Sequence, residues 1–262
     1  MINKRNEGID SLRILSMIMV VSLHVLIFGL KHYELNVFSV QGIVADILKA
    51  LCFCAVNVYA IITGYVLVNK KPKINRLIDL WLQVFFYLMI SCIFVLIFYP
   101  RDFNLEDLIK AFIPVLSSQY WYFTAYFIMY WFIPLYNWII DYLTIGQFRK
   151  LIVTTFFVFS IMGWMSSLLG GTVFGLNQGF SYLWLSFLYF IGAGIKLYGL
   201  ELFFIKGKIS QNTVLFIALC SAVLTFISKM VLAKLTMLVL GHELFAGALY
   251  SYLSPTVLIE AI

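Results

Sequence analysis

The chain has 262 residues, of which 63% are hydrophobic and 11% charged, with a formal net charge of +6. A soluble domain carries roughly 25% charged residues and has no use for this much apolar surface, so a water-soluble globular fold is excluded and long apolar runs read as an all-α, polytopic transmembrane helix bundle. The basic excess follows short loops, as the positive-inside pattern of membrane proteins requires, and argues against a nucleic-acid partner.

The first apolar stretch, 11–30, follows Lys4 and Arg5. It is too long for a signal-peptide core and lacks a small-residue cleavage site, so it reads as a retained helix. It contains Arg13 and His24. Ionisable side chains within a span cost several kcal/mol and read as parts of a site. Their separation turns a helix through three turns plus roughly 20°, placing both groups on one face about 16 Å apart. With Arg13 at the cytoplasmic edge of a hydrocarbon layer about 30 Å thick, His24 lies near its middle. A lone histidine in an apolar helix otherwise reads as an interhelical hydrogen-bonding group. Glu7, Asp10 and Arg13 follow at i, i+3 spacing, so Asp10 is placed to orient or neutralise the guanidinium.

The second span, 44–67, carries Asp46 and Lys49, spaced to neutralise each other, and Asn57, a candidate interhelical partner together with Gln83. A basic loop with Lys70, Lys71, Lys73 and Arg76 leads into the third span, 78–99. Residues 101–112 place Leu105, Leu108, Ile109 and Phe112 on one stripe, the pattern of an amphipathic helix lying on the membrane surface. The fourth span, 120–140, opens on the aromatic run 120–123 and holds Trp131; interface anchoring accounts for the opening, with a carbohydrate platform as the alternative.

Spans at 150–169, 181–199 and 211–231 follow, and a segment beginning near residue 246 brings the expectation to about eight. Residues 231–240 are too short to cross alone and read as an extension of the seventh span or an interfacial piece. With the N-terminus inside, twelve basic residues fall on the cytoplasmic side and five on the other, which supports that orientation in a cell membrane. The last residues stop within an apolar run, so 1–262 reads as one integral membrane domain truncated at its C-terminus. Cys52, Cys54, Cys92 and Cys220 lie in apolar runs and behave as small hydrophobes; His32, His242 and Glu243 fall near the outer surface. Neither metal-ligand spacing, a phosphate-cradling glycine loop nor a nucleophile elbow is present, so no metal is expected.

The opening NKRNEGIDSLRILSMIMVVSLHV resembles the first helix of the membrane-bound acyltransferase family 3, with its acidic-x-x-Arg start and Arg-x10-His motif; Asp10, Arg13 and His24 fall on those positions. VNVYAIITGYVLV (56–68) is similar to the family's second-helix segment, with Thr63 in place of the usual serine before Gly64. The loop 70–80 matches a region where many members have paired arginines, here Lys73 and Arg76, and 120–136 resembles a Trp-aromatic helix ending near a proline. The resemblance implies about ten helices in the full domain. It also implies O-acyl transfer, usually acetyl from acetyl-CoA, to a hydroxyl of a cell-envelope or exported glycan. In that scheme His24 is general base or transient acyl acceptor, Asp10 and Arg13 complete the catalytic set three turns away, and Arg13, Lys73 and Arg76 hold the coenzyme phosphates. A guanidinium stays charged and offers a planar fork for phosphate. The partners implied are an acyl-CoA donor, a glycan acceptor and the bilayer. The alternative is a transporter or flippase for an envelope glycan, since transporters also place ionisable groups near the midplane; repeated halves with interrupted helices are not evident.

Overall fold

The computed structural model describes residues 6–29, 38–202, 210–241 and 249–262. His32, His242 and Glu243 lie outside the described residues. Those that are described form an all-helical bundle without strands.

Asn6 caps the first helix, α1 (Glu7–His24), accepting from the backbone N–H groups of Gly8 and Ile9. Beyond His24 the helix widens into a π-turn, Val25–Gly29. Then come α2 (Val40–Cys52) and α3 (Ala55–Leu67), two halves of one span interrupted at Phe53 and Cys54. The succession continues with α4 (Ile74–Phe98), α5 (Leu105–Phe112), α6 (Trp121–Tyr142), α7 (Ile145–Thr155) running through a π-turn into α8 (Gly163–Leu168), α9 (Tyr182–Tyr198), α10 (Gln211–Leu240) and α11 (Pro255–Ala261).

Six helical stretches among the described residues are long and apolar enough to cross a membrane, and a seventh is counted if the short turns at Val173–Gly179 and α9, bent by 77°, form one span. The protein is therefore a multi-pass membrane protein. Of the eight expected spans, the last appears only as the seven residues of α11, and 231–240 extends the seventh span as part of α10. The amphipathic stripe at 101–112 becomes α5, whose Leu105, Ile109 and Phe112 stand exposed as a membrane-facing surface would require. On its polar side the Lys110 ammonium, 2.7 Å from Glu106, hydrogen-bonds that carboxyl and holds it below the usual carboxylate range.

The centre of the bundle is the pair α3 and α9, α3 buried along most of its length and α9 through its middle turns. Their backbones approach so closely that a Cβ at Gly64 would overlap the Tyr189 carbonyl and one at Gly192 the Ile61 carbonyl. Small residues at helix seams permit this approach, and van der Waals packing then holds the pair where no hydrophobic effect can. Buried polar bonds fix the register. The Trp184 indole donates to Asn57 Oδ1 at 3.0 Å, Asn57 Nδ2 donates to the Tyr252 carbonyl at 3.0 Å, and Tyr189 donates to Asn137 Oδ1 at 2.6 Å. Asn57 is thus an interhelical partner as its composition suggests, whereas Gln83 stands exposed on α4.

Asp46 corrects a simpler expectation. It lies 3.7 Å from its helix neighbour Lys49 but only 2.6 Å from Lys229 of α10, and its carboxylate is almost wholly buried. The cross-helix ion pair is the primary one, and Tyr250 adds a hydrogen bond to the Asp46 carbonyl at 2.9 Å. Asp46→Asn leaves the Lys229 ammonium uncompensated in a partly buried site, with an expected stability loss on the order of 3 kcal/mol. Thermal unfolding in detergent, followed by size exclusion, checks this, and Asp46→Asn combined with Lys229→Met is expected to recover most of the loss.

Candidate active site

Around this centre α1 packs on α2 and α3, and α6 packs on α9. The stripe of α1 that turns inward carries Ser16 and Leu23, both buried. Arg13 and His24 lie on one flank of that stripe, about 20° apart in helical projection.

Arg13 is held at the N-terminal end by Asp10, whose Oδ1 accepts from the guanidinium at 3.3 Å. Its outer end opens onto a cleft of about 210 Å3 lined by Arg13 of α1, Thr63, Val66 and Leu67 of α3, Arg76, Leu77 and Leu80 of α4, and Tyr126 and Tyr130 of α6. Four helices therefore converge here. Two guanidiniums meet hydroxyl groups in an otherwise apolar enclosure; the Thr63 hydroxyl donates to the Tyr59 carbonyl at 3.0 Å, and Tyr126 lies beside Thr63 in the field of both arginines. Tyr130 fixes the loop that delivers Arg76: its hydroxyl accepts from the Lys73 N–H and donates to the Lys73 carbonyl, each at 3.1 Å. Asn137, one turn after Pro134, donates to the carbonyls of Leu67 and Lys70 and secures the other end of that loop.

Arg13 and Arg76 are thus brought together, with Asp10 orienting the first. The Lys73 side chain is exposed and does not line the cleft; this residue contributes its backbone. His24 is not part of the lining either. It ends α1, exposed on the flank that carries Arg13, with its ring centroid 5.8 Å from that of Phe28. Its Nδ1 lies 2.8 Å from the Val20 carbonyl oxygen. A carbonyl only accepts, so Nδ1 carries hydrogen and the lone pair of the neutral ring resides on Nε2, turned away from its own helix. The π-turn that follows is a backbone irregularity of a kind that clusters at functional sites.

The hydroxyls of Thr63, Tyr126 and Tyr130 are the site members that sequence reasoning missed. For the two tyrosines the signal was a four-residue period: Tyr122, Tyr126 and Tyr130 recur on one face of α6, with successive ring centroids 6.1 and 6.0 Å apart. At the far end of the same helix Trp121 packs into a cluster with Phe180 at 4.6 Å and Tyr252 at 5.7 Å, an internal plug as well as a candidate interface anchor. Trp131 is exposed on the outer surface of the bundle.

A multi-pass helical membrane protein with a doubly cationic, hydroxyl-lined cleft opening into one end of the bundle is the class that fold and site define. A family model of the acyltransferase domain, acyltransferase family 3, matches residues 6–258, and the chain belongs to this family of membrane acyltransferases. No curated protein and no solved structure matches it.

Proposed function

We propose that the protein is a cell-membrane O-acetyltransferase that takes acetyl from acetyl-CoA and delivers it to a hydroxyl of a cell-envelope or exported glycan. The observation that carries this reading is the convergence of Arg13 and Arg76, from two different helices, on one cleft. Paired guanidiniums suit the phosphates of a coenzyme. The Arg13 end faces the cytoplasm, where acetyl-CoA is made, and the pantetheine arm runs along the shared flank of α1 towards His24, about 16 Å away. The glycan approaches from the opposite side.

A thioester is already activated, so the protein must make the alcohol nucleophilic and hold both partners. The acceptor hydroxyl attacks the thioester carbon while its proton passes to Nε2 of His24. The tetrahedral intermediate then expels the sulfur, and the imidazolium returns the proton so that free coenzyme A thiol leaves with an intact ester behind. The Val20 carbonyl keeps Nδ1 protonated throughout and stabilises the cationic ring between the two steps. In the two-step variant Nε2 attacks the thioester first and expels coenzyme A thiolate; the acceptor hydroxyl then attacks the acetyl-imidazolium, its proton passing to the thiolate as the ester forms and Nε2 is released.

The test is labelled acetyl-CoA supplied to purified protein in nanodiscs. Consumption of thioester supports the enzyme; glycan movement across vesicles with no thioester consumed would sink it in favour of a transporter. Arg13→Ala and Arg76→Ala are each expected to weaken acetyl-CoA binding at least about tenfold, since each removes a charge-assisted contact. Isothermal titration with the coenzyme checks this, and an unchanged titration for both variants removes the donor from this cleft.

A further inference from the structure

The Tyr122 hydroxyl is sealed from solvent and has no hydrogen-bond partner among the described residues. A buried, unsatisfied hydroxyl costs about 1–3 kcal/mol, and native proteins keep few of them. Its position is more specific than its isolation. Tyr122 stands one helical turn beyond Tyr126 on the face of α6 that lines the arginine cleft, its ring centroid 6.1 Å from that of Tyr126, and Tyr59 of α3 is close enough to interact with it electrostatically. Tyr59 in turn stands one turn beyond Thr63 on α3. Two cleft-lining residues, Thr63 and Tyr126, thus each have a tyrosine one helical turn further into the bundle.

Depth agrees as well. Tyr122 is eight residues from Tyr130 along α6, about 12 Å, and His24 is eleven residues from Arg13 along α1, about 16 Å. Arg13 and Tyr130 share the cleft, and α6 runs antiparallel to α1, so both distances are measured in the same direction from one starting level. Tyr122 therefore lies within about one helical turn of the depth of His24.

We infer that the Tyr122 hydroxyl is a hydrogen-bond donor to the carbonyl oxygen of the acyl donor, satisfied only when the thioester is in place. This rests on the acyl-transfer reading above. The bond strengthens as that oxygen gains negative charge on attack, in a dry site where a fixed donor acts with most effect. Tyr59 flanks it and excludes water from the same depth.

Tyr122→Phe removes the oxygen and keeps the ring. With acetyl-CoA as donor and protein normalised to the folded fraction by size exclusion, kcat is expected to fall by roughly 10- to 100-fold, with KM for acetyl-CoA nearly unchanged. Without ligand the variant is expected to be at least as thermally stable as the parent, because it no longer buries an unpaired group. An unchanged kcat overturns the inference, as does a variant destabilised without ligand whose lost rate tracks its lost fold. In both cases parental turnover remains and the acyl-transfer reading stands. A parent protein that consumes no thioester overturns that reading and this inference together.

Discussion

His24→Ala is expected to lower acyl transfer by about 10²- to 10⁴-fold while leaving the amount of folded protein unchanged. Both halves follow from where the ring sits. It is exposed at the end of α1, its ring contact is Phe28, and its hydrogen bond goes to the Val20 carbonyl one turn back. Truncation therefore opens no core cavity and strands no buried donor, since that carbonyl lies within a helix. What disappears is the one lone pair, on Nε2, that the arrangement leaves free to take a proton. His24→Asn sharpens the point. Its amide can still donate locally but offers no base, so it is expected to be as inactive as alanine. Rates of labelled acetyl transfer, measured on size-exclusion-purified protein, decide the matter; retention of activity within a few-fold by either variant would falsify the assignment of His24 as the proton acceptor.

How far these residues were legible in the sequence depended on whether the signal was local. Asp10, Arg13 and His24 all lie on α1, so spacing alone predicts one face for Arg13 and His24 and an i, i+3 contact between Asp10 and Arg13. Arg76 was legible as a basic residue before a span, but its meeting with Arg13 is a matter of how α4 and α1 stand around α3, which no local period encodes. Lys73 illustrates the converse: a basic residue of the same loop that meets the site through its backbone, bonded to Tyr130, while its side chain is absent from the cleft lining. The closer partner of Asp46 was not legible for a related reason, although the expected Lys49 pair is present at 3.7 Å. An i, i+3 lysine is visible in the sequence, whereas Lys229 is remote in the chain, and the stronger hint was that a lysine within the apolar run of α10 needs a carboxylate somewhere. The hydrophobic runs located the spans well because the bilayer imposes their length. Their ends were less legible, since 231–240 could extend a helix or lie at the interface until α10 proved continuous to Leu240.

The second large effect is expected far from any charge. Gly192→Ala places a methyl group on the Ile61 carbonyl, and Gly64→Ala places one on the Tyr189 carbonyl, in each case against backbone that has no rotamer to yield. Overpacking a well-filled core costs about 1–3 kcal/mol when side chains can shift; here the two central helices themselves must separate, so the expected loss is about 3 kcal/mol or more for either variant. Separation also carries Thr63 and its neighbours on α3 away from α4 and α6, so acetyl-CoA affinity is expected to fall with stability although neither glycine lines the cleft. Gly146→Ala is the control: the position lies in the first turn of α7 with open space around it, and the change is expected to be neutral or slightly stabilising. Thermal unfolding of the three variants in one detergent separates the cases. A Gly192→Ala protein that melts with the parent would mean that α3 and α9 are not in backbone contact, and the seam that positions Thr63 against the two arginines would have to be redrawn.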